Sequence, residues 1–72
     1  MDRKTAACEY AIAAMIVLRM AKTEDDLIEW WTGEKQNRDI LNMRPDVSPG
    51  FDLYNALKSY RNELRKTRHE NL

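Results

Sequence analysis

The feature that most constrains the fold is an apolar run of nine residues, Tyr10–Leu18, in a chain of 72 residues. A membrane-spanning helix needs about 20 apolar residues, so this run is too short to cross a bilayer. As a helix it is apolar nearly all round, and such a helix must be covered on more than one side. The run therefore predicts the central helix of a small globular fold, with no membrane partner.

Chain length limits what can cover that helix. A chain of 72 residues allows one domain, residues 1–72, and domains this small are commonly stabilised by disulfides, a metal or oligomerisation. Cys8 and His69 are the single cysteine and histidine, which excludes an intrachain disulfide and a His/Cys zinc site. We therefore expect no metal and no cofactor. One cysteine and no secretion signal favour the reducing cytoplasm.

Strand signals are absent because no stretch alternates apolar and polar residues over the length of a strand. Thr23 is placed to cap one helix, while Ser48 followed by Pro49 is typical of the start of another. Gly33 marks a point at which the second helix bends or breaks. The sequence predicts an all-α domain of three helices, at about residues 3–21, 24–42 and 49–67.

Three alanines of the first helix recur on one side. Ala7, Ala11 and Ala14 fall at i, i+4 and i+7, a strip of small residues that allows another backbone to approach closely. Two interpretations stay open. The first helix is the central core helix of one chain, or it is also the seam of a homodimer.

Charges are balanced overall but unevenly distributed. Residues 1–23 and 53–72 carry an excess of basic side chains, whereas residues 24–52 carry eight acidic against three basic ones. A net charge of zero gives no overall attraction to nucleic acid or membrane. An acidic middle between basic ends favours pairing within a chain or between chains. The acidic run after Thr23 suits the positive end of a helix dipole, an explanation that we prefer to a metal site.

Two adjacent tryptophans follow the acidic run. Trp30 and Trp31 lie three and four residues after Leu27, so both rings can flank one apolar stripe. They are core residues, or one of them is an anchor for a partner, since tryptophan is enriched at binding hot spots. We predict that Trp31 is the structural ring and Trp30 the partner-facing one, with Glu34 and Asn37 as a polar rim around it.

The third helix carries an apolar stripe and, beside it, a basic strip. Basic side chains with an interleaved aromatic can follow a nucleic-acid backbone and stack a base. The alternative is a face that is solvated or paired with the acidic middle of the chain. The candidate nucleic-acid-binding residues are Tyr54, Lys58, Arg61, Arg65 and Arg68.

Catalysis is not expected. The one histidine, His69, lies near the end of the chain, and the one cysteine, Cys8, lies in the most apolar helix. No glycine-rich phosphate loop and no metal-ligand spacing are present in the sequence. We therefore predict a protein that is not an enzyme.

The segments T-E-D-D-L-I-E-W-W and L-Y-N-A-L-K-S-Y-R-N-E-L-R-K lie within residues 23–66. This region resembles the C-terminal appendage of phage single-strand annealing recombinases, in which a Leu-x-x-Trp-Trp helix precedes a helix ending in Arg-x-x-x-Leu. It departs from that pattern at Gly33, and these 72 residues contain no large annealing domain. The resemblance implies phage or prophage origin and a role in gripping another protein or DNA. The matching positions are Leu27, Trp30, Trp31, Leu57, Arg61 and Leu64.

Two functions follow as expectations. The first is a small non-catalytic protein-binding module, encoded by a phage or prophage, that acts as an adaptor or inhibitor of a host protein complex. The second is a nucleic-acid-binding accessory protein that uses the basic strip of the third helix.

Overall fold

The structure is a computed structural model that describes residues 2–70, apart from the side chains of residues 68–70. The described residues form α-helices and contain no strand, so the predicted all-α fold is confirmed. A short 3-10 turn, Leu18–Met20, continues the first helix. The α-helices are α1 (Arg3–Val17), α2 (Glu24–Gly33), α3 (Lys35–Ile40) and α4 (Gly50–Glu70).

The first two helices begin at side-chain caps. The Asp2 carboxylate accepts a hydrogen bond from the Thr5 backbone N–H at 2.7 Å, which satisfies a donor that the helix itself leaves unpaired. The Thr23 hydroxyl accepts one from the Asp26 N–H at 3.1 Å, so the predicted cap of the second helix is confirmed. The acidic first turn of α2 then lies at the positive end of its dipole.

The second predicted helix, residues 24–42, is two helices. Glu34, directly after Gly33, has φ −89° and ψ 0°, which ends α2 and starts α3. At the end of α3, Asn42 has φ 54°, and the Met43 N–H reaches back to the Arg38 carbonyl at 2.9 Å. This is the left-handed helix ending for which asparagine is suited.

The start of α4 depends on a close approach of two backbone segments. The helix begins at Gly50, one residue later than predicted, and the Ser48 hydroxyl donates to the Asp52 carboxylate at 2.8 Å. A Cβ atom at residue 50 would collide with the backbone of Arg44. Glycine at this position therefore lets the loop after α3 pack directly against the first turn of α4.

The core is a single apolar cluster in which α1 packs along α4, while α2 packs against α4 and the 3-10 turn. Leu18, Leu27 and Leu53 are its largest completely buried side chains. The domain is elongated, 47 × 19 × 17 Å, because α1 and α4 lie side by side and α4 has 21 residues. No helix among the described residues combines the length and apolarity needed to cross a membrane.

Candidate protein interface

The most unusual surface of the molecule is the outward side of α1 and the 3-10 turn. Ile12, Ile16 and Met20 recur at i, i+4 and i+8 and are 60%, 62% and 72% exposed. Val17 borders them and is also exposed. We call these four residues the outer strip. They form a stripe of large apolar side chains that the fold leaves uncovered, and such stripes mark interaction sites.

The inward side of α1 is built from small residues. Ala7, Ala11 and Ala14 are 1–5% exposed and belong to the core cluster, together with residues of α4. The alanine strip that we considered as a dimer seam is therefore used inside the chain. Any partner of α1 has to dock on the opposite side of the helix, on the outer strip.

Trp31 is held in a cluster that joins α2, α3 and α4. Its ring meets the Tyr54 ring edge-on at 5.1 Å, and the Arg38 guanidinium carbon lies 3.9 Å above the Trp31 ring centroid. Arg38 also donates to the Trp31 carbonyl, in the last turn of α2, where a cation is favoured by the helix dipole. Arg38 is only 7% exposed. Sequence patterns did not single out this buried arginine as a site residue.

Trp30 is half-buried, as is Trp31, and their ring centroids are 6.1 Å apart. Trp30 packs against the core cluster and lines a pocket with Val17, Leu18 and Met20 at the end of the first helix. Trp30 therefore lies at the edge of the core, on the side of α2 that faces the 3-10 turn. Its partner-facing role stays a prediction.

Glu34 and Asn37, which we predicted as a polar rim around Trp30, belong to a hydrogen-bonded group with Tyr10 of α1. The Glu34 carboxylate accepts a hydrogen bond from the Tyr10 hydroxyl of α1 at 2.9 Å and is 3.4 Å from the Asn37 amide. Burial, with the Glu34 carboxylate as the second cause, raises the pKa of Tyr10 to about 12. The hydrogen bonds among Tyr10, Glu34 and Asn37 connect α1 to the break between α2 and α3. Local sequence spacing could not reveal it, because 24 residues separate Tyr10 from Glu34.

The basic strip of α4 is partly neutralised. Glu24 accepts hydrogen bonds from Arg61 Nε at 2.7 Å and from Arg65 Nε at 2.9 Å, and both arginines form ion pairs with its carboxylate. The bonds from Arg65 and then Arg61 lower the pKa of Glu24 to about 2. Lys58 is exposed. The remaining predicted member, Arg68, has a side chain outside the described residues.

The pairing of Glu24 with two arginines is the alternative that the charge distribution suggested, an acidic middle segment bound to a basic end of the chain. Tyr54 is likewise engaged, since its ring packs against Trp31. Within the part of α4 whose side chains are described, three of the four predicted nucleic-acid-binding residues thus make contacts to α2.

The described residues hold no group of three or more His, Cys, Asp or Glu side chains that could bind a metal ion. Comparisons with protein-family models, curated proteins and solved structures find no match to this chain.

Proposed function

We propose that this chain is a small, non-catalytic protein-binding module that acts in the cytoplasm. It binds another protein through the outer strip of α1 and serves as an adaptor or inhibitor of a host protein complex. The resemblance of residues 23–66 to a phage recombinase appendage supports a phage or prophage origin.

One observation carries the proposal. Ile12, Ile16 and Met20 are each at least 60% exposed, although they lie on the helix that also supplies the buried alanines of the core. Burying an isoleucine or methionine side chain contributes about 1.5–3 kcal/mol, so leaving three of them in water forgoes stability that a small domain needs. A partner that covers the outer strip recovers that free energy.

Protein binding is favoured over nucleic-acid binding by the charges. Arg61 and Arg65 already share the Glu24 carboxylate, which reduces the positive potential of the basic strip. The outer strip itself carries no cation to meet a phosphate. Phosphate binding requires free lysine or arginine side chains, and it weakens steeply with salt.

The test is capture of a host protein by matched variants. We expect the wild type and Ile40→Lys, which adds a charge at an exposed isoleucine on α3, to retain the same protein from a host lysate. Ile16→Lys places a charge at the centre of the outer strip and should abolish that capture without lowering the melting temperature. Equal capture by all three variants would contradict the proposal.

Salt and nuclease treatment distinguish protein binding from nucleic-acid binding. Capture through apolar contacts should change little between about 50 and 500 mM salt and should survive nuclease treatment. Capture that is lost under both conditions, and equally in Lys58→Ala, would favour the nucleic-acid-binding alternative.

A further inference from the structure

Self-complementarity is a second property of this surface, and it is carried by Ile12 and Ile16 of the outer strip with the charged residues Glu9 and Arg19 beside them. Ile12 and Ile16 lie two residues before and two residues after the level of Ala14 on the helix axis. Glu9 and Arg19 lie five residues before and after the same level. Both charged residues are exposed, and neither takes part in an ion pair among the described side chains.

We propose that, when no host protein is bound, a second copy of this chain covers the outer strip, docked antiparallel about a twofold axis at the level of Ala14. This inference rests on the proposed function and names one partner for the same surface. A twofold interface uses the same patch on both copies, so residues equidistant from the axis meet. Ile12 of each copy then packs against Ile16 of the other, and Glu9 of each copy faces Arg19 of the other.

The charges favour an antiparallel over a parallel arrangement of the two copies of α1. In a parallel pair, Glu9 would face Glu9 and Arg19 would face Arg19, which places like charges at both ends of the strip. In the antiparallel pair, both ends carry opposite charges. The other cations of the first helix do not interfere, because Arg3 and Lys4 line a groove beside the start of α4 instead of the outer strip. A formal net charge of zero also gives no long-range repulsion between copies.

Size sets the expected affinity. An apolar patch on an ordinary monomer covers roughly 300–600 Å², and a stable interface covers about 800 Å² on each partner. The outer strip has only four apolar side chains, with Glu9 and Arg19 beside them, so we place it in the class of the smaller patches, below the area of a stable interface. We therefore expect a weak dimer, with a Kd in the range of roughly 10–500 µM.

The decisive experiment is charge reversal followed by sedimentation equilibrium. Glu9→Arg and Arg19→Glu should each weaken self-association about tenfold, because each converts two attractive pairs of the dimer into two repulsive ones. The double variant Glu9→Arg/Arg19→Glu should restore wild-type association. An equimolar mixture of the two single variants should also form dimers, since every Glu–Arg pair is then regained. Single variants that associate as well as the wild type would overturn the antiparallel arrangement.

Cys8 reports the direction independently. In the antiparallel pair the two Cys8 residues are 12 positions apart along the helix axis, about 18 Å, too far for a disulfide. Mild oxidation should therefore leave wild-type dimers without a cross-link. Rapid formation of a Cys8–Cys8 dimer would place the helices parallel and overturn the inference.

Self-association and host-protein binding can be contradicted separately. A wild type that stays monomeric at about 1 mM, while Ile16→Lys still abolishes capture of a host protein, removes the second copy as the partner and leaves the protein-binding function intact. A dimer that behaves as described, with no host protein dependent on Ile16, supports the inference and contradicts the adaptor or inhibitor role.

Discussion

The long helix α4 is held on two sides by different chemistry. On one side α1 packs along it with alanines and buried leucines. On the other side α2 meets it through the edge-on Trp31–Tyr54 contact and through Glu24, which pairs with Arg61 and Arg65. The α1 side is apolar and close-packed, whereas the α2 side is aromatic and charged.

The difference shows that a small chain can be stabilised by apolar packing at one helix interface and by aromatic and ionised groups at another. Apolar packing between α1 and α4 involves no ionised group and so does not change with pH, and it requires small inward residues so that the two backbones can approach. The contact between α2 and α4 depends on ionised groups, so it weakens with acid and salt. Alanines form the inward side of α1, whereas its exposed large residues, Ile12, Ile16 and Val17, lie on the outward side.

The largest expected effect comes from placing a charge in the apolar contact. Ala11 is 1% exposed, so Ala11→Glu buries a carboxylate without a partner. That costs several kcal/mol, comparable to the roughly 5 kcal/mol by which a small domain is stable. We expect circular dichroism at 25 °C to show an unfolded chain, and not a folded monomer.

Ala13→Glu is the matched control for Ala11→Glu. It introduces the same change two residues away on the exposed side of α1. We expect a normal thermal melt for this variant. A folded Ala11→Glu protein would mean that the inward and outward sides of α1 have been assigned the wrong way round.

The next effect concerns the aromatic part of the α2 contact. Trp31→Ala removes the ring that touches both Tyr54 and Arg38 and leaves the buried guanidinium uncovered. We expect a loss of about 2–4 kcal/mol in urea unfolding. Trp30→Ala, at the edge of the core, should cost less, about 1–2 kcal/mol. A larger loss for Trp30→Ala would show that the contact of α2 with the 3-10 turn contributes more stability than its contact with α4.

A smaller effect tests the charged part of the same contact. The two arginines lower the pKa of Glu24 to about 2 from its ordinary value of 4.5, so the stabilisation is complete above pH 4.5 and is lost as the pH falls through about 2. Glu24→Gln should be less stable than the wild type at pH 7, and the difference should disappear near pH 2. Urea titrations at several pH values measure this.

Glu29→Gln is the control for Glu24→Gln, because Glu29 is an exposed carboxylate on α2 with no ion pair among the described side chains. Its stability should follow that of the wild type at every pH. If Glu24→Gln and Glu29→Gln behave alike, the Glu24–arginine pairs contribute nothing measurable to the α2 contact.

The smallest effect on stability is expected on the outward side of α1. Ile12 is 60% exposed, so Ile12→Ser should change the free energy of unfolding of the monomer by no more than about 0.5 kcal/mol. The same variant should weaken self-association, which sedimentation at several concentrations detects. A loss of stability above about 1 kcal/mol at low concentration would show that Ile12 belongs to the core.

Several parts of the fold were predictable because they depend on neighbours in the sequence. The Thr23 hydroxyl caps the N–H of a residue only three positions later, and the buried residues of α4 recur once per helical turn. The acidic residues at the start of α2 are explained by the dipole of that helix, whose positive end favours them. The break at Glu34 was anticipated only as a soft point at Gly33, because glycine permits a bend without specifying its direction.

The candidate site was harder to predict. An apolar pattern on all sides of the first helix does not say which side a partner helix covers, so the alanine strip suited a dimer seam as well as the core. The polar contacts Tyr10–Glu34 and Arg65–Glu24 join residues 24 and 41 positions apart. No short-range spacing rule reaches that far.

Local patterns along the chain thus decided where the helices lie, how α1 and α2 are capped, and that no described segment is a strand. Tertiary packing decided which side of α1 is buried, which carboxylate neutralises the basic strip, and which apolar residues remain in water. The physical reason is the range of the interactions. Helix hydrogen bonds and caps join residues within about four positions, whereas burial and ion pairing between helices are set only when distant segments pack together.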